Sequence, residues 1–126
     1  TKHFGFNIDF GTFQYAIPKG MEEMAFMFNL EDVTKPEEIV DFLPYSWSCH
    51  TKFAYVDENF NEPTIPYKEV IQLMVDNGWS GNLISEYEGA ERFFFERSSE
   101  DFGIGVDHIP DQVRRHQIMM RNILGY

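Results

Sequence analysis

Strand-like and helix-like segments alternate three times along this chain, and that alternation limits its fold more than any other feature. The first strand candidate, Phe4 to Phe10, has a period of two that sets Phe6, Ile8 and Phe10 on one face and Asn7 and Asp9 on the other. A long connection follows, with room for a short helix over Met21 to Phe28, where Met21, Met24 and Met27 recur at helical spacing and read as packing. A firmer helix begins at Thr34. There Thr34-Lys35-Pro36-Glu37 fits a capping box, Ile39, Val40 and Leu43 form the apolar stripe, and Pro44 ends it. The second strand candidate is Trp47 to Tyr55, with Cys49, Thr51 and Phe53 opposed to Ser48, His50 and Lys52. Its helix has Pro66 near the start, an apolar repeat of Tyr67, Val70, Ile71, Met74 and Val75, and Gly78 at the closing position. The third strand, Gly81 to Glu88, opposes Leu83, Ser85 and Tyr87 to Ile84, Glu86 and Glu88. The last helix runs from Pro110 to Leu124; its pattern buries Val113, Gln117, Met120 and Leu124 and exposes Arg114, Arg115 and Arg121.

Strand and helix in this order imply a parallel sheet with helices outside it. Each helix shields one face of its strand. The other faces carry Asp9, then His50 with Lys52, then Glu86 with Glu88, all near strand ends. A parallel sheet is ordinarily covered on both sides, so these charges need a special place, and the interior mouth of a closed barrel is one. Three units do not close a barrel alone.

Asp9, His50 and Glu86 are separated by 41 and then 36 residues, so one chemistry-bearing side chain recurs per unit at a matching point of the strand. Two carboxylates and an imidazole suit a hard or borderline divalent ion, Mn²⁺, Mg²⁺, Co²⁺ or Zn²⁺, and the lack of thiolates argues against a structural zinc site. The bland alternative is that Asp9 and Glu86 cap loops while His50 is a hydrogen-bonded interior histidine.

Charge excludes some partners. A net charge of −11 over 126 residues repels phosphate backbones and anionic lipid surfaces, so neither nucleic acid nor membrane is an expected partner. Cys49 is the sole cysteine and no signal-peptide pattern opens the chain, which points to the cytoplasm. The chain begins at Thr1 without a Met, as expected of a cut or processed polypeptide. Thirteen Phe residues, among them Phe93-Phe94-Phe95, call for a pocket lining, packing under loops or contact with another chain.

The stretches Asn7-Ile8-Asp9-Phe10-Gly11-Thr12, His50-Thr51-Lys52-Phe53 and Ile84-Ser85-Glu86-Tyr87-Glu88-Gly89 occur in that order, and Asp111-Gln112-Val113-Arg114-Arg115-His116-Gln117 closes the series. With Ile65-Pro66-Tyr67 and Gly78-Trp79-Ser80-Gly81 between them, they resemble the last three units of the xylose-isomerase-like TIM barrels, the sugar phosphate isomerase/epimerase superfamily. The similarity runs from Phe4 to Leu124 and is weakest between Phe13 and Val33. The Glu-Tyr-Glu-Gly and Val-Arg-Arg-His-Gln stretches look closest to a branch that includes the large subunits of C-glycoside deglycosidases.

That resemblance implies an α/β fold: residues 1–126 would be the C-terminal three βα units of a (β/α)8 barrel, incomplete without the N-terminal units. It implies Asp9, His50 and Glu86 as metal ligands, with Mn²⁺ the leading ion; the family's first ligand, a Glu, would lie before Thr1. It implies Glu86 and His50 as catalytic residues of metal-assisted proton transfer on a carbohydrate. Lys52, on the same face as His50, reads as a catalytic donor to an oxyanion or a sugar hydroxyl, or as a solvated strand-end lysine; Glu88 reads as a substrate contact or a partner of Lys52, and Arg92 as a substrate contact or a solvent charge. Thr12 stands where some epimerases of the family carry a histidine. The activity expected is that of a metal-dependent sugar isomerase or epimerase. The alternative within the resemblance is a carbon–carbon lyase, a C-glycoside deglycosidase subunit. A reading of another class is a non-catalytic barrel fragment that serves as an interaction module. All three call for a complementary N-terminal chain or segment and an oligomer, because open parallel edges expose unpaired amides. His3, His108 and His116 read as surface or helix residues.

Overall fold

The computed structural model describes residues 5–89 and 108–126. Its element order is β1 (Phe6–Asp9), β2 (Ser46–Phe53), α1 (Tyr67–Asp76), β3 (Asn82–Tyr87) and α2 (His108–Leu124), with three 3-10 segments before β2. The strands form a parallel sheet in the order β1-β2-β3. Asp9 lies opposite His50, and Lys52 opposite Glu86. Mixed strand and helix around a small parallel sheet bear out the α/β class. No helix among the described residues is long and apolar enough to cross a membrane. Phe93-Phe94-Phe95, Arg92 and His3 lie outside the described residues, as does the side chain of His108.

One face of the sheet meets the core. Ile8, Cys49, Val70, Ile71, Met74, Met119 and Met120 are buried there with Phe10 and Phe13. Burial pushes the Cys49 thiol above its ordinary pKa, so the lone cysteine is a small core residue and not a nucleophile. Ahead of α1, the buried Glu62 carboxylate accepts the Thr64 and Ile65 amides at 2.8 and 2.6 Å, shaping the turn that aims the helix. Gly78 closes the helix with φ of +75°, as its position after the apolar stripe predicts.

Five expectations are corrected. Phe6 is 48% exposed, because the β1–β2 register shifts between Phe6 and Asn7 and turns the ring out onto Phe42, 5.5 Å away edge to face. The segment expected to be an α-helix from Thr34 is a 3-10 run over Pro36–Tyr45, with Pro44 inside it. In an α-helix the Pro44 ring would clash with the carbonyl one turn back; Pro44 lacks an amide donor at either pitch, and the run ends one residue later at Tyr45. Its capping box is shifted by one residue: the Lys35 amide donates to Glu38 Oε1 at 2.9 Å, while Thr34 Oγ1 meets Thr12 Oγ1 at 2.6 Å. The Met21–Phe28 helix is a kinked 3-10 turn that buries Met21 and Met24 and leaves Met27 54% exposed. The fourth is α2, whose buried face is Gln112, His116, Met119 and Met120; Gln117 and Leu124 are exposed and Val113 is only partly covered. Val75 on α1 is also exposed. The reading of α2 followed its apolar residues, whereas two polar side chains with buried partners set the true face.

Gly81 opens β3 where a Cβ would collide with the Trp79 ring and the Trp47 carbonyl. The Trp79 indole is itself fixed by donating to the Ser46 carbonyl at 2.7 Å, so it has little freedom to retreat. Gly81→Ala is expected to lower unfolding stability by about 1–3 kcal/mol, measured by denaturant titration. Gly78→Ala, which meets no atom within 4 Å but keeps the positive φ, is expected to cost about 1 kcal/mol.

Candidate active site

The strand face away from the core collects the charges. Alternation along β2 sends His50 and Lys52 to it, and alternation along β3 sends Glu86, with Glu88 following. Asp9 ends β1 and caps the next turn, its Oδ1 accepting the Gly11 amide at 2.8 Å. Gly11 also makes room for the site, since a Cβ there would sit 3.2 Å from Lys52 Cδ.

The side chains join in three contacts across neighbouring strands and their ends. His50 Nδ1 lies 3.1 Å from Glu86 Oε2. Lys52 Nζ lies 3.1 Å from Asp9 Oδ2 and 3.5 Å from Glu88 Oε2. Burial alone would lower the Lys52 pKa, but the hydrogen bond and charge of Asp9, with the charges of Glu88 and Glu86, outweigh it and raise the ammonium above its ordinary value. Lys52 is therefore a cation at neutral pH, able to donate hydrogen bonds and unable to serve as a base.

Asp9, His50 and Glu86 thus share one face of three adjacent strands, as their spacing predicts. The structure brings His50 to Glu86, and Asp9 to Lys52. Among the described residues no set of three or more His, Cys, Asp and Glu side chains is assembled around a common point for a metal ion. Glu88 joins the cluster through Lys52.

A cleft of about 440 Å³ opens over Asp9, Lys52 and Glu88, roofed by Met27, Phe28 and Leu30. A smaller space of about 150 Å³ continues inward past Phe28 and Met21 to Phe53. The sequence reads Met27 as packing on a short helix and gives Phe28 and Leu30 no site role, because these residues sit in the 13–33 connection, which has no strand or long helix to give them a face. Their only sequence signal is apolar residues in a segment too irregular to bury them all.

Behind the mouth, on the helix side, lies a polar chain. His116, read as a surface or helix residue, lies on α2 but is fully buried and stacked on Phe53, with ring centroids 4.0 Å apart and planes 5° apart. Its Nε2 is 2.9 Å from Tyr67 Oη, which donates to the Lys52 carbonyl at 2.6 Å. Its Nδ1 is 2.9 Å from Ser85 Oγ, which accepts from the Gln117 amide. Gln112 clasps the Val56 backbone, accepting its amide at 2.6 Å and donating to its carbonyl at 3.0 Å. Burial pushes His116 down to about 3 and Tyr67 well above 10.

Comparison with known proteins points to one kind of enzyme subunit. No protein-family model matches the chain. Part of it is 39% identical over 62 residues to a C-glycoside deglycosidase alpha subunit of Arthrobacter globiformis, a match covering 49% of this chain and 18% of that protein. A C-glycoside deglycosidase alpha subunit of Microbacterium trichothecenolyticum is 44% identical over 46 residues, 36% of this chain and 12% of that protein. A 3'-dehydrocarminate deglycosidase alpha subunit of a Microbacterium species is 36% identical over 55 residues, 44% of this chain and 16% of that protein. The matches span less than a fifth of each relative's length. They fall on the narrower branch of the resemblance, and they support the lyase alternative better than the isomerase.

The buried imidazole makes folding depend on pH. The unfolded chain binds a proton at His116 below pH 6.5, whereas the folded chain resists it down to about 3. The stability contributed by the neutral ring is complete above 6.5 and is lost as pH falls through that window. Tyr67 is the titratable group facing the ring; Ser85, Gln117 and Phe53 add no charge. Between pH 7 and 4 the urea midpoint of the wild type is expected to fall more steeply than that of His116→Phe. Equal slopes would contradict a buried neutral imidazole.

Proposed function

We propose that this chain is part of a C-glycoside deglycosidase-like lyase subunit, its charged strand ends forming one wall of the catalytic mouth of a TIM barrel completed by further βα units. One observation carries the reading: a cationic Lys52 held beside three carboxylates and His50, on one face of a parallel sheet, in a chain whose matched relatives are deglycosidase alpha subunits. The relatives' names, as alpha subunits, support a second kind of subunit as partner.

The substrate class is a C-glycoside whose sugar carries a keto group next to the carbon that loses a proton. Glu86 takes that proton from carbon. The electron pair forms the ring C=C bond as the carbon–carbon bond to the aglycone breaks, and the aglycone carbon takes a proton. Lys52 donates a hydrogen bond to the keto oxygen as charge builds on it, which lowers the barrier where charge develops. Glu88 orients Lys52 and meets a sugar hydroxyl. Arg92 is kept as a substrate contact from the sequence alone.

By chemical type, Asp9, His50 and Glu86 suit a divalent ion and would hold one after their side chains regroup. Two carboxylates and an imidazole on adjacent strands are hard or borderline ligands. His50 Nδ1 and Glu86 Oε2 already lie 3.1 Å apart, so these two would be the first pair to hold such an ion. Asp9 would complete the set on release from Lys52. Such an ion, Mn²⁺ ahead of Mg²⁺, Co²⁺ or Zn²⁺, supplies Lewis-acid polarisation of the keto oxygen when bound.

Metal analysis of the complete assembly is expected to find about one divalent ion per chain, and His50→Ala is expected to lower turnover by about 100-fold or more with secondary structure unchanged. Cleavage of a 3-keto C-glucoside assayed beside ketose isomerisation separates the two activities. Isomerisation without cleavage would replace the lyase with an isomerase, and full activity in His50→Ala would remove His50 from the site.

A further inference from the structure

The polar chain behind the mouth has a single direction. Tyr67 has one hydroxyl proton, and it goes to the Lys52 carbonyl at 2.6 Å. Tyr67 Oη is therefore an acceptor toward His116, whose Nε2 must carry the ring proton. Nδ1 is then an acceptor, and the Ser85 hydroxyl donates to it while receiving the Gln117 amide. Both ends of the imidazole are committed, and both lead to the strands that carry the mouth: the Lys52 backbone in β2, and Ser85 in β3, one residue before Glu86.

We propose that His116 is a positioning residue for the mouth, holding the backbone of Lys52 through Tyr67 and that of Glu86 through Ser85, so that the ammonium and the carboxylate on the opposite face keep a fixed separation. Several observations support more than a packing role. The ring is fully buried and stacked on Phe53, the residue after Lys52. Lys52 and Glu86 are register partners, so the clamp acts across the pair whose side chains do the chemistry. A packing role needs neither hydrogen bond, and an apolar ring would fill the same space without burying polar atoms. The pKa lowered by burial keeps the ring neutral, the state that this donor pattern requires.

Two variants test it in the complete assembly. His116→Phe keeps the stack on Phe53 and removes both hydrogen bonds; Tyr67→Phe removes only the link to Lys52. In both, the carbonyl ¹³C resonance of Lys52 is expected to shift, and only in His116→Phe is the Ser85–Glu86 backbone expected to follow. The activity arm rests on the lyase reading. There, kcat per folded molecule is expected to fall about tenfold in either variant with KM within about twofold, and the double variant is expected to lose no more than either single one. An unmoved Lys52 carbonyl, an unchanged kcat per folded molecule, or additive losses would overturn the proposal. If the wild type cleaves no 3-keto C-glucoside, the lyase reading falls and the carbonyl resonances alone decide. If His116→Phe does not fold, Tyr67→Phe carries both arms.

Discussion

The parallel pairing of three strands in one register is the constraint on which everything else depends. Side chains alternate along a strand, so the pairing of Asp9 with His50 and of Lys52 with Glu86 assigns every polar group to a face. Cys49, Thr51 and Phe53 enter the core, and His50 and Lys52 leave it. Five ionisable groups that are far apart in sequence become neighbours because their strands are neighbours. Among the described residues the helices contribute no ionisable side chain to this face; they cover the other side.

Electrostatics then divides the labour in the cluster. In a chain of net charge −11, the Lys52 ammonium flanked by Asp9 and Glu88 is stabilised in its charged form, and partial burial is too weak to reverse that. A permanently charged Lys52 can stabilise negative charge on a substrate oxygen and cannot accept a proton. In the reaction proposed above, proton abstraction would therefore fall to a carboxylate or to His50, and the contact between His50 and Glu86 places those two together. Roles follow from charge state as well as from position.

What the sequence made legible follows the same physics. Period-two alternation located β2 and β3 and named His50, Lys52, Glu86 and Glu88 as outward-facing, because a half-buried strand writes its burial pattern into every second residue. Asp9 was placed on the right face although the register shift beside it turned Phe6 outward, a change set by pairing with β2 and invisible in β1 alone. The 3-10 run before β2 carried helix-like capping and stripe signals, and only the geometry at Pro44 decided its pitch. His116 was the largest miss. A polar residue on a helix reads as exposed unless its partners are known, and those partners lie 31 and 49 residues away. Gln112, one helical turn earlier, has a partner 56 residues away and hid its burial in the same manner.

These buried polar groups bear on the register itself. An apolar interface between helix and sheet tolerates sliding, since one aliphatic contact replaces another at small cost. Directed hydrogen bonds do not, because a displaced strand leaves buried donors and acceptors unsatisfied at about 1–3 kcal/mol each. A one-residue slip of β3 against β2 would carry Ser85 away from His116 and turn Glu86 toward the helices, where Phe53 and Tyr67 offer a carboxylate no counter-charge. Thr51 adds to this by donating across the strand pair to the Ile84 carbonyl at 2.9 Å. The polar layer on the core side therefore disfavours the pairings that would empty the mouth of its charges. Two faces that never touch are in this way specified together: the hydrogen bonds behind the sheet select the one register in which the ionisable groups in front of it can meet.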